Sequence, residues 1–76
     1  MTNQSEPSPE ERMAALVDEF EFCRMEHVTA PFDQGINIER GKWMGRARAE
    51  ASKIRSLLAS NPELKHMVNM KHLADY

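Results

Sequence analysis

Cys23 and His27 stand four residues apart, which points both side chains the same way from a helix, and His66 and His72 lie further along the chain. Thiolate and imidazole are the ligands of a tetrahedral zinc site, which needs four of them. The chain has one cysteine, and a separation of six between the two late histidines is a poor helical pairing. The expectation is therefore no metal, with Cys23 as a small buried hydrophobe and His27 as a cation at a helix end. Catalytic chemistry fares no better. No serine, histidine and acid fall into a recognisable motif. A phosphate loop needs four residues between its glycines and Ser or Thr after the lysine. Here five residues separate Gly35 from Gly41, and Trp43 follows Lys42. The carboxylates of the first helix face solvent by their periodicity, so nothing raises their pKa for acid catalysis. The chain reads as a non-enzyme without a cofactor.

Binding chemistry is better represented. Arg40, Lys42, Arg46, Arg48, Lys53 and Arg55 fall on the solvent side of one helix. Lys42, Arg46 and Lys53 share an edge, and Trp43 beside them offers a ring on which a base can stack. That set suits an anionic ligand, either nucleic acid or a nucleotide. Against it stand a pI near 5.9 and an acidic first half. Residues 1–33 carry eight carboxylates against two arginines, while residues 34–58 carry six cations against two carboxylates. Such asymmetry suits an anionic partner or pairing between segments, and the latter makes the basic set a solvated face.

The most informative feature is apolar surplus. Phe22 and Met25 lie off the main stripe of the first helix, since position 22 is about 200° around from position 20. A second apolar edge at Phe22, Met25 and Val28 suggests a second packing surface, for another copy or for a partner protein. Gly41, Gly45 and Ala49 recur at four-residue steps and line a narrow groove that suits tight packing against a neighbouring helix.

These residues need elements to position them. Residues 1–7 read as a disordered polar tail with no signal-peptide character. Ser8, Pro9 and Glu11 form a helix-start signal with a capping box. Met13, Leu16, Val17, Phe20, Cys23 and His27 then recur at helical steps until the helix fades near Val28. Residues 29–36 form a connector with Pro31, Asp33 and Gly35 as turn formers and Phe32 tucked back onto the helices. Asn37 caps a second helix to about Ser60, with Trp43, Ala47, Ala51, Ile54, Leu57 and Leu58 as its stripe. Asn61 and Pro62 restart a short third helix carrying Leu64, Met67, Val68, Met70 and Leu73. The last two helices could imitate a DNA-binding pair. Their turn lacks glycine, though, and the third helix is nearly neutral.

The predicted fold is all-α, a helical hairpin of two longer helices plus a short C-terminal third, within one domain over residues 8–76. A chain of 76 residues makes a marginal core, and one cysteine forms no internal disulfide, so a homodimer is expected. No stretch is apolar enough to span a membrane, and one thiol suits the cytoplasm. The predicted function is a small interaction module that modulates or inhibits another protein through a helical surface, a style common among phage and plasmid accessory proteins. Its contact residues would be Phe22, Met25, Phe32, Arg40, Arg46 and Arg48, because aromatic and arginine anchors dominate interfaces. The alternative is the anionic ligand, held by Lys42, Trp43, Arg46 and Lys53.

Overall fold

The computed structural model describes residues 6–30 and 38–76. The expected turn at Pro31, Asp33 and Gly35, the placement of Phe32, the cap at Asn37 and most of the N-terminal tail lie outside the described residues. Helix α1 spans Pro9–Thr29 and α2 spans Ile38–Ser60. A 3-10 helix over Pro62–Met67 and a short helix α3 over Met70–Ala74 follow, and no strand occurs among the described residues.

Helix α1 begins where its chemistry demands. The Ser8 hydroxyl accepts from the Glu11 backbone N–H at 3.1 Å, and the Glu11 carboxylate accepts from the Ser8 N–H at 2.9 Å. This reciprocal cap satisfies two donors that the helix cannot use itself and stabilises the first turn by about 1 kcal/mol. The helix stops at Thr29 because Ala30, preceding Pro31, is held in extended backbone. Arg40 of α2 donates to His27 O at 3.2 Å, one of the carbonyls the helix end leaves unpaired, and Thr29 Oγ1 donates back to Met25 O at 2.7 Å.

The core lies between the two long helices. Met13, Phe20 and Cys23 of α1 are buried against Ala47, Ala51, Ile54 and Leu57 of α2. The small residues of this interface are Ala47 and Ala51, both fully buried. They are not Gly41, Gly45 and Ala49, contrary to the packing groove expected there. A methyl group built at Gly41 or Gly45 meets nothing within 4 Å, and Ala49 is exposed. The reason is angular: Gly45 sits about 200° around α2 from Ala47, so the two rows cannot both face α1.

The C-terminal segment differs from one continuous helix. Val68 is extended, with φ −118° and ψ 136°, which ends the 3-10 turns. Asn69 then starts α3, its side chain accepting from the N–H groups of Lys71 at 3.0 Å and His72 at 3.2 Å. Asparagine is a strong cap and a poor interior residue, so the chain breaks there. Leu64, Val68 and Leu73 enter the core, whereas Met70 is exposed. Arg55 of α2 donates to Leu73 O at 2.8 Å and ties the segment down. No described helix is long and apolar enough to cross a membrane.

Candidate functional site

An aromatic and cationic cluster sits toward the end of the hairpin where α1 finishes and α2 begins. Phe22 is displaced from the buried stripe of α1, which leaves it 53% exposed, yet it meets Trp43 edge-on with ring centroids 5.7 Å apart. Lys42 and Arg46 lie over the Trp43 ring, each 5.2 Å from its centroid. Cation–ring contacts of this kind hold long flexible side chains to a rigid plane. The indole N–H of Trp43 donates to Glu39 at 3.1 Å, and Arg46 pairs with Glu19 of α1 at 3.4 Å. Met25 is 50% exposed one turn beyond Phe22, and Val28 near the end of α1 and Ile38 at the start of α2 are exposed as well.

Four of the sequence-predicted site residues therefore come together: Phe22, Lys42, Trp43 and Arg46. Met25 borders them on α1. The others separate. Arg40 turns to the end of α1 and holds the His27 carbonyl. Arg48 follows Arg46 by two residues, about 200° around α2, and leaves the cluster. Lys53 is two turns further along, about 10 Å up the axis from Arg46, and pairs with Glu50 at 3.4 Å. It belongs instead to an open groove of about 740 Å³ at the opposite end, lined by Arg12, Leu16, Ser52, Ser56 and Leu57. Phe32 lies outside the described residues.

A second constellation, which the sequence reading missed, joins α1 to the C-terminal segment. Tyr76 packs edge-on against Phe20 at 5.7 Å and hydrogen-bonds His27 Nδ1. His72 pairs with Glu21 at 2.8 Å, and Glu21 also holds Arg24 at 3.0 Å. The available signal was the spacing of Tyr76 three residues after Leu73, which continues the apolar face past α3. His27 stands in the last turn of α1, as expected, but its charged form is disfavoured there. Burial and the neighbouring charges of Arg40 and Arg48 push its pKa below the ordinary 6.5. Burial holds the Tyr76 phenol above 10, so the phenol keeps its proton at neutral pH while it is bonded to His27 Nδ1. For Glu21, burial raises the carboxyl pKa, but the hydrogen bonds and charges of His72 and Arg24 outweigh it and leave the net value below 4.5.

The thiol of Cys23 is buried beside Glu19, and desolvation raises its pKa, which suits packing and not nucleophilic attack. Among the described residues, no group of three or more His, Cys, Asp or Glu side chains could hold a metal ion. Comparison with protein-family models, with curated proteins and with solved structures finds no match to this chain.

Proposed function

We propose that this protein is a small, non-enzymatic interaction module of the cytoplasm that modulates another protein, in the simplest case by inhibiting it, through the outer face of its helical hairpin. The observation that carries the reading is the half-exposed pair Phe22 and Met25 set beside Trp43 and Arg46. Aromatic, methionine and arginine side chains are enriched where proteins meet, and a contiguous apolar patch on a small chain marks a contact surface. Trp43 and Arg46 are already steadied by Phe22, Glu39 and Glu19, so little side-chain entropy is lost when they dock. Arg40, bonded to the end of α1, belongs at the margin of this face.

The alternative is an anionic ligand at Lys42, Trp43 and Arg46. Their assembly around one ring favours it. Two features oppose it: both cations cover the ring on which a base would stack, and Glu19 and Glu39 stand within the cluster. Affinity capture from the native host, read by mass spectrometry, tests the first reading. A protein retained at moderate salt by the wild type and lost by Phe22→Asp/Met25→Asp is the expected outcome. Retention that is unaffected by the double substitution, or of nucleic acid that falls steeply with salt, would overturn it.

A further inference from the structure

We propose that the face built on Phe22 and Met25 is covered by a second copy of this chain, in a two-fold arrangement that sets α1 of each protomer against α2 of the other. The inference rests on reading this face as a protein contact and names its occupant. A two-fold interface must be self-complementary, because the same patch faces itself. This patch is. Asp18, Phe22 and Glu26 follow one another at four-residue steps on α1 and share a face. Across the Phe22–Trp43 contact, α2 presents Lys42 and Arg46 at the same four-residue step. An apolar centre of Phe22, Trp43 and Met25 is thus flanked by Asp18 and Glu26 on one helix and by Lys42 and Arg46 on the other, with Arg46 also paired to Glu19 of its own protomer and Glu39 held by the Trp43 indole. A two-fold axis through the centre carries each row onto its opposite. Lys42 forms no ion pair among the described residues, and Asp18 is exposed without one, so both are available to a second chain.

Rows of opposite sign within one patch also say why the occupant is this chain and not a uniformly acidic or basic partner. Either of those would match one helix and clash with the other. Two occupants exclude each other on one face, so a protein target would take the place of the second copy.

Light scattering coupled to gel filtration tests the proposal with the full chain. Wild type should elute at a two-chain mass. Lys42→Glu/Arg46→Glu makes both rows acidic, and Asp18→Lys/Glu26→Lys makes both basic; each alone should fall to a one-chain mass. Mixing the two at equal ratio restores every opposed pair and should return the two-chain mass. Repulsion inside a single protomer, such as that of Glu19 against the carboxylate introduced by Arg46→Glu, would not be relieved by mixing, which separates a folding defect from a lost contact. Met25→Asp alters a half-exposed side chain with no part in the core, and it too should give a one-chain mass with unchanged helical circular dichroism. A wild type of one-chain mass at every concentration, a Met25→Asp protein that remains a dimer, or a mixture that stays at one-chain mass would overturn the proposal. The first of these leaves host capture through Phe22 and Met25 intact, so the two readings fail separately.

Discussion

Replacing Tyr76 with phenylalanine removes one oxygen and keeps the ring that packs edge-on against Phe20. What is lost is the hydrogen bond to His27 Nδ1. A single neutral hydrogen bond contributes about 1 kcal/mol net. In a domain of this size that lowers the thermal midpoint by about 4–8 °C. The lowered pKa of His27 comes from burial and from the charges of Arg40 and Arg48, which Tyr76→Phe leaves in place. Its contribution is fully present above 6.5 and is lost in both proteins as pH falls from 6.5 through the lowered folded value. The phenol oxygen can also accept from a protonated Nδ1, so the bond need not vanish on acidification. Thermal melts of both proteins by circular dichroism, run from slightly alkaline to mildly acidic pH, should therefore fall together below 6.5 with the variant lower throughout. A variant midpoint equal to that of the wild type would refute the bond between Tyr76 and His27, and a wild-type midpoint that does not fall below 6.5 would refute the lowered pKa of His27.

Three further substitutions probe the frame. Phe20→Ala removes a side chain that is 1% exposed and should cost about 3–5 kcal/mol, enough to abolish a cooperative melt in a chain this small. Gly45→Ala places a methyl group in open space within a helix and should stabilise by about 0.5–1 kcal/mol; a lower midpoint would mean that something approaches that backbone. Glu21→Gln removes a carboxylate whose contribution is present above 4.5 and lost as pH falls through its lowered folded value. The variant should therefore lack that acid-side loss, at a cost near neutral pH of about 1 kcal/mol or less because the pair is a third exposed.

The long elements were legible because their signals are local. A Ser8–Pro9–Glu11 start and a three-and-four stripe from Met13 to His27 specify α1 without reference to the rest of the chain. Ala47, Ala51, Ile54 and Leu57 do the same for α2. The exposure of Phe22, Met25 and Val28 was legible for the same reason, as residues that miss the stripe. The packing groove expected at Gly41 and Gly45 was misread against the α2 stripe: Gly45 lies about 200° around from Ala47, so the row already faced away from the buried side. The edge-on meeting of Phe22 with Trp43, and the reach of Tyr76 back to His27, join residues far apart in the chain, which periodicity does not encode. Arg40, Arg46 and Arg48 look equivalent in sequence, yet one holds a helix end, one pairs with Glu19 and one faces away from the cluster.

Trp43 is the single tryptophan and stands inside the proposed contact face, so its fluorescence reports on that face alone. The most direct measurement follows its emission while the purified protein is diluted, and again while a captured host protein is added to the diluted, one-chain sample. Burial of this surface by another chain predicts a red shift on dilution and a blue shift on addition. A spectrum that moves in neither titration would contradict the existence of a contact surface at Phe22, Met25 and Trp43.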